Sequence, residues 1–135
     1  WQRTVVTSIG ENVAAERLLV GETTNPPGNW SSAPPHKHDR AQDGEIPMEE
    51  VYLYRLNPPQ GFGLQRIYTP PGDPDPLDTT IAVRDGDLVA IPRGYHPVVA
   101  APGYQLFYLW ALAGDQRRYG AWTDDPDHAW IKGVG

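Results

Sequence analysis

The chain has 135 residues, a formal net charge of -6 and no cysteine, which excludes a disulfide framework and a thiolate metal site. Its length suffices for one domain with a hydrophobic core. Lysine and arginine form no cluster, which argues against nucleic-acid binding, and no apolar run approaches the roughly 20 residues that span a bilayer. These features favour a cytoplasmic protein that binds neither nucleic acid nor membrane.

Fifteen prolines and fourteen glycines predict many short strands and turns. The first strand is predicted over residues 3–9, a helical turn over 11–17, and a second strand over 18–22. A loop rich in Pro, Gly and Asn then leads to the first histidines.

His36 and His38 follow two prolines that favour extended backbone, so their side chains are predicted to share one face. Residues 39–47 are polar and acidic, which predicts an exposed loop that serves as a lid or wall of a site or is merely solvated. A strand-like run follows, in which only one of Glu49 and Glu50 can face inward; the apolar pattern does not decide which.

The remaining strands are predicted at 61–69, 79–83, 87–91, 98–101 and 104–113. Asp85 and Gly86 mark a hairpin turn. The run 104–113 is the most apolar, and its aromatic residues favour a central strand over a buried helix. Repeated short strands without a helical period predict an all-β antiparallel sandwich or barrel.

A second stretch places His96 just after a Pro-Arg-Gly turn at the end of an apolar strand. Three of the four histidines in the chain therefore lie in two segments, together with a carboxylate at Glu50. The set His36, His38, Glu50 and His96 suits a borderline divalent metal. Such a metal with open positions is a Lewis acid towards oxygen ligands.

The two stretches resemble the paired motifs of the cupin superfamily: His-x-His followed by Glu, then Gly-x5-Pro-x-Gly followed by His. Two departures are a longer gap between His38 and Glu50 and a shorter one between Gly94 and His96. Nearly the whole chain is similar to the C-terminal half of the 5-deoxy-glucuronate isomerase family, which is related to the 4-deoxy-L-threo-5-hexosulose-uronate ketol-isomerases. The strings that carry this resemblance are Pro-Pro-His-Lys-His-Asp, Pro-Pro-Gln-Gly-Phe-Gly, Pro-x-Gly-Tyr-His-Pro-Val and Asp-Pro-Asp-His-x-Trp-Ile.

The resemblance implies a single cupin-type jelly roll over residues 1–135 that forms the C-terminal half of a two-cupin protein. Its partners would be the N-terminal cupin half and a small sugar acid. The oligomeric state stays open, and a homo-oligomer is one of the alternatives. The implied activity belongs to inositol catabolism: aldose–ketose isomerisation of 5-deoxy-D-glucuronate to 5-dehydro-2-deoxy-D-gluconate through a metal-stabilised enediolate. Zn²⁺ is the first choice of metal, with Mn²⁺ or Fe²⁺ as alternatives, and the resemblance favours Glu50 over Glu49 as the ligand.

The carboxylate of such a substrate calls for a cation in the site. Candidates are Arg66 first, because it lies on a predicted strand beside a glutamine, then Lys37 and Arg93; Lys37 lies between two ligands and is predicted to point away from them. Candidates for proton transfer are Tyr52, Tyr54, Tyr95 and His128. The alternatives in function are a non-catalytic sugar- or metal-binding cupin domain and an iron-dependent cupin dioxygenase, since fold alone does not fix function.

Overall fold

The computed structural model describes residues 1–134 and consists almost entirely of antiparallel strands. Within this range no helix is long and apolar enough to cross a membrane. The strands are β1 Thr4–Ile9, β2 Leu18–Asn25, β3 Trp30–Ser31, β4 His36–Lys37, β5 Glu49–Asn57, β6 Phe62–Tyr68, β7 Asp78–Arg84, β8 Leu88–Ile91, β9 Val98–Ala100, β10 Gln105–Ala113 and β11 Thr123–Asp124, followed by a 3-10 helix at Ala129–Gly133.

Two larger sheets enclose one core. The first has the strand order β1-β2-β10-β5-β8, the second has the order β3-β9-β6-β7, and β4 pairs with β11 in a small third sheet. Buried apolar side chains of both larger sheets form a single cluster. The predicted all-β cupin-type sandwich is therefore confirmed.

The alternation of buried and exposed residues along β5 and β10 orients the core. In this antiparallel pair Tyr54 lies opposite Tyr108, and Glu50 lies opposite Leu112. Because residues two apart share a face, Glu50 points inward at the start of the strand that buries Tyr54. Burial of each large apolar side chain contributes about 1.5–3 kcal/mol, so the register is strongly specified.

Most strands predicted from the sequence are present, and 104–113 is the central strand β10 rather than a helix. The predicted helical turn at 11–17 is wrong, because this segment forms turns and bends. Its carbonyl groups are bound by a distant side chain: the Arg117 guanidinium donates to the carbonyls of Gly10, Val13 and Ala15. A local helical pattern cannot anticipate a partner a hundred residues away.

Candidate metal centre and its cavity

Three buried side chains from distant parts of the chain meet at one point. His38 follows β4, Glu50 lies at the start of β5, and His96 precedes β9. Their ligand atoms all lie within 4.8 Å of one another. The Nε2 atoms of His38 and His96 are 2.9 Å and 3.1 Å from the same oxygen, Oε2 of Glu50. The sheets thus bring together three of the four predicted ligands.

Backbone carbonyl groups orient both imidazole rings. Nδ1 of His38 lies 2.8 Å from the carbonyl oxygen of Met48, and Nδ1 of His96 lies 3.0 Å from that of Gly94. A carbonyl oxygen only accepts, so each Nδ1 carries the proton and donates. Each ring therefore turns its Nε2 towards Glu50, which is the orientation found in metal-binding histidines.

The electrostatics of this group keep the carboxylate charged. Burial opposes ionisation of Glu50, but the contacts with His38 and His96 outweigh it and lower the pKa of Glu50 to about 2. Burial also opposes protonation of His38, yet its hydrogen bond to Glu50 raises the pKa of His38. A buried anion thus faces two imidazole nitrogens, a set that suits a cation.

The structure decides which glutamate faces inward. Glu50 is buried and Glu49 is exposed, as the alternation along β5 requires. The choice of Glu50 agrees with this orientation.

His36 lies beside the group of three rather than within it. Its ring centroid is 4.9 Å from that of His96, and it stacks on Trp122 with centroids 4.7 Å apart. Burial and the neighbouring His96 lower the pKa of His36 well below its usual value. At neutral pH this ring is therefore uncharged, which is the state that a metal ligand must have.

The donor set fits a divalent metal. Nε2 of His96 is buried and makes no hydrogen bond, because its 3.1 Å approach to Glu50 lacks hydrogen-bonding geometry. An orphaned buried nitrogen is costly unless another group binds it. Two imidazole nitrogens and one carboxylate are ligands that Zn²⁺, Mn²⁺ and Fe²⁺ accept.

Lys37 points away from the histidines on either side of it, as predicted. It is buried, and its Nζ lies 2.8 Å from Asp39 and 2.9 Å from Glu45. Glu45 is buried too and accepts hydrogen bonds from the backbone NH groups of Asp39 and Arg40. Lys37 is therefore a structural cation, and its placement argues against a role in substrate binding.

The segment 39–47 is mostly exposed, as predicted, except for Asp39, Glu45 and Ile46. None of its residues lines the cavity that opens next to His38 and Glu50. It is therefore neither a lid nor a wall of that cavity.

Arg66 and Arg93 also lie away from the cavity. Arg66 makes two hydrogen bonds to Asp78 across the β6–β7 pair and lies over the ring of Tyr68. Arg93 is paired with aspartates of the loop 70–77. Both guanidinium groups are bound by carboxylates, one across the strand pair and the others in a turn. The strand pattern of the sequence did not reveal these partners.

A cavity of about 170 Å³ opens on the inner face of the five-stranded sheet, next to His38 and Glu50. Tyr52 is the one predicted proton-transfer residue in its wall, and the Tyr52 hydroxyl lies 3.0 Å from Oγ of Ser32. Tyr54 instead donates to Gln65, and Tyr95 packs on the ring of Tyr68. His128 precedes the 3-10 helix and does not line the cavity.

Three cations in the cavity wall escaped the sequence analysis: Arg3, Arg118 and Lys132. They come from the two ends of the described chain, outside every motif. Only the tertiary fold brings them to the cavity, and no local spacing signals this. Arg66, which the sequence favoured as the cation of the site, does not line the cavity, whereas these three residues do.

The antiparallel double-sheet arrangement of this protein is a cupin-type fold. A cupin-like protein from Thermotoga maritima shares the fold at 16% identity, with a TM-score of 0.55 over 96% of this chain and 83% of that one. The sequence profile of the KduI/IolB family matches residues 1–131, and the chain belongs to that family.

Two closer relatives are similar over almost the whole chain. One is named 5-deoxy-glucuronate isomerase, from Geobacillus kaustophilus; it is 46% identical over 133 residues, which cover 96% of this chain and 46% of the relative. The other is the crystal structure of an IolB-like protein from Salmonella typhimurium LT2, with 44% identity and a TM-score of 0.90 over 97% of this chain and 49% of that one. The chain thus spans about half the length of these relatives.

Proposed function

We propose that this chain is the C-terminal, metal-binding cupin half of a two-cupin isomerase of inositol catabolism. The enzyme would convert 5-deoxy-D-glucuronate to 5-dehydro-2-deoxy-D-gluconate. The observation that carries the proposal is the convergence of His38, Glu50 and His96 beside a cavity lined by hydroxyl groups and cations. The names of the curated relatives supply the reaction.

His38, Glu50 and His96 would hold the metal, with His36 as the fourth ligand. A divalent metal bound there supplies Lewis acidity towards the carbonyl oxygen and the adjacent hydroxyl oxygen of a sugar. The reaction needs no redox change, so Zn²⁺ suffices, and Mn²⁺ and Fe²⁺ also suit the donor set.

The isomerisation takes a proton from the carbon next to the aldehyde and returns it to the aldehyde carbon by way of an enediolate. The hydroxyl proton moves to the former carbonyl oxygen. We assign Tyr52 to the oxygen side of this transfer, because this residue lines the cavity and its hydroxyl contacts Ser32, which lines the cavity too. Burial and the nearby Glu50 raise the pKa of Tyr52 well above its usual value, so Tyr52 stays protonated and donates.

Ser32 holds the Tyr52 hydroxyl in place. Its Oγ lies 3.0 Å from that hydroxyl, and its backbone has a positive φ of 49°. Left-handed backbone is unfavourable for a residue with a side chain and is often found at functional sites. This conformation lets Ser32 line the cavity and contact Tyr52.

The wall around these groups is largely aromatic, and two of its aromatic side chains have their polar atoms bound within the protein. The Tyr108 hydroxyl donates to Ser31, and Nε1 of Trp110 donates to Thr23. Such a wall excludes water from the reacting atoms and strengthens the electrostatic contacts there.

The test joins metal content to activity in the full-length protein. We expect about one equivalent of divalent metal and oxygen-independent isomerisation of 5-deoxy-D-glucuronate. His96→Ala should lose both, and His128→Ala, which alters the histidine outside the group, should keep both. Wild-type protein that takes up no metal even after reloading contradicts the metal site, and turnover that consumes oxygen supports a dioxygenase instead.

A further inference from the structure

We propose that Arg3 and Arg118 form the subsite that binds the carboxylate of a sugar-acid ligand at the cavity. The inference deepens the proposed function and rests on the same cavity. Both side chains line it together with His38 and Glu50. The subsite would orient the ligand with its anionic end on the arginines and its reacting end towards the histidines.

The ion pairs of the molecule single out these two arginines. The chain has eleven lysines and arginines and seventeen acidic residues. Seven of the eleven basic side chains form ion pairs: Arg17, Lys37, Arg40, Arg55, Arg66, Arg93 and Lys132. Arg117 donates to backbone carbonyl groups.

Three arginines are left without a carboxylate partner among the described residues 1–134: Arg3, Arg84 and Arg118. Two of these three line the cavity, and Arg84 does not. In a chain with more acidic than basic residues, two unpaired guanidinium groups at one cavity leave a local positive field there.

The other charges of the cavity have their own places. Lys132 is paired with Asp124, and Glu50 contacts His38 and His96 in the candidate metal centre, where a divalent cation would offset its charge. The two arginines therefore carry the uncompensated charge that an anionic ligand meets. A planar guanidinium group matches a carboxylate with two parallel hydrogen bonds, which favours this ligand over a neutral hydroxyl group.

The segment 118–124 connects this subsite to the histidines. It begins at Arg118, turns at Gly120 with a φ of +88°, and brings Trp122 onto the ring of His36. The buried Ala121 holds the turn, since its carbonyl accepts a hydrogen bond from the NH of Ile46. Arg118 is thus tied by a short anchored segment to the candidate metal site.

Two probe sugars test the subsite by binding alone. D-glucuronate carries a carboxylate where D-glucose carries a hydroxymethyl group. Binding of each to metal-loaded full-length protein can be followed by tryptophan fluorescence, since Trp110 and Trp122 line the cavity. We expect wild type to prefer D-glucuronate by about tenfold or more, the effect of one charged hydrogen-bonded pair.

Arg3→Gln and Arg118→Gln should each weaken D-glucuronate binding, and the double variant should abolish the preference without changing D-glucose affinity. The matched control is Arg84→Gln. Arg84 is the third unpaired arginine and lies outside the cavity, so this variant should bind both sugars as wild type does. Arg118→Lys keeps the charge but loses the planar fork, so it should lose part of the preference. If Arg118→Gln does not fold, Arg118→Lys and Arg3→Gln still provide the test.

A wild-type protein without preference for D-glucuronate overturns the subsite, as does a double variant that retains the preference. The outcome is separable from the proposed function. If the protein prefers the carboxylate but has no isomerase activity, the subsite stands and the proposed function fails. If the protein is an active isomerase but the double variant keeps the preference for D-glucuronate, only the subsite is contradicted.

Discussion

Lys37 and Glu45 form a buried ion pair with Nζ 2.9 Å from Oε1, and their side chains expose only 4% and 0% of their surface. Lys37 lies between His36 and His38 in the chain and faces the opposite way. The pair therefore fixes one face of the short strand whose other face presents the two imidazole rings. A buried lysine in this position serves the geometry of the site without touching a ligand.

We expect Lys37→Met to destabilise the protein by about 3–5 kcal/mol, because it leaves the Glu45 carboxylate buried without a counter-ion. Urea unfolding measures this. Arg55→Gln is the matched control: it breaks an exposed pair with Asp85 and should cost less than about 1 kcal/mol. The double variant Lys37→Met/Glu45→Gln should recover part of the loss, and a Lys37→Met protein as stable as the control contradicts the role of the pair.

Stability should fall in acid through Glu45. Burial opposes ionisation of this carboxyl, but hydrogen bonds from Thr123 and Lys37 outweigh it and hold the pKa of Glu45 below its usual 4.5. A lowered pKa in the folded state contributes stability that is complete above the unfolded-state value and is lost as the pH falls through the folded-state value. Below about pH 4.5 the free energy of unfolding should therefore decrease.

Urea titrations at pH 7, 5, 4 and 3 measure this decrease. Glu45→Gln should be less stable than wild type at pH 7 and should have a flatter pH profile between pH 5 and 3. Equal slopes for the two proteins would assign the acid sensitivity to other carboxyl groups, of which Glu50 is one.

Gly94→Ala should damage the turn before His96. Gly94 has a φ of +88°, and a Cβ there would lie 2.6 Å from the carbonyl oxygen of Tyr68. The carbonyl of Gly94 also accepts the hydrogen bond from Nδ1 of His96, so the ring should lose its orientation. We expect lower metal content and lower thermal stability.

The control is Gly86→Ala. Gly86 has nearly the same φ, +87°, but a Cβ there meets nothing within 4 Å. It should show only the backbone cost of about 1–2 kcal/mol and normal metal content. If both variants lose metal equally, the clash with Tyr68 is not the cause.

Tyr52→Phe should lower kcat by about 10²-fold or more while leaving metal content unchanged, since it removes one proton donor from the cavity wall. Tyr54→Phe is the matched control. It removes an equally buried hydroxyl, which binds Gln65 outside the cavity, and should affect stability but not kcat. Steady-state kinetics with metal analysis separate the two, and an active Tyr52→Phe enzyme removes Tyr52 from the mechanism.

Arg117→Ala should release the segment 10–15. The guanidinium donates three hydrogen bonds of 2.6–2.7 Å to backbone carbonyls there. We expect faster amide hydrogen exchange in this segment and a loss of about 1–3 kcal/mol. The control is Arg17→Gln, because Arg17 is exposed and paired with Asp115; this change should leave the exchange unchanged. Equal exchange in the two variants would contradict the role of Arg117 in holding the segment.

The sequence by itself determined the strands, the inward face shared by His36 and His38, and the return of His96 after a Pro-Gly turn. These follow from local rules: residues two apart on a strand share a face, and proline and glycine end strands. The all-β fold could be predicted for this reason, whereas the meeting of His96 with His38 and Glu50 was implied by the resemblance to the paired cupin motifs.

Only the tertiary structure decided the rest. Glu50 rather than Glu49 faces inward because β5 pairs with β10 and β8 in a particular register. Arg66 is bound across a strand pair, whereas Arg3 and Arg118 reach the cavity from opposite ends of the described chain. The partner of a long charged side chain depends on which distant segments the core packing brings together, and no local pattern encodes that distance.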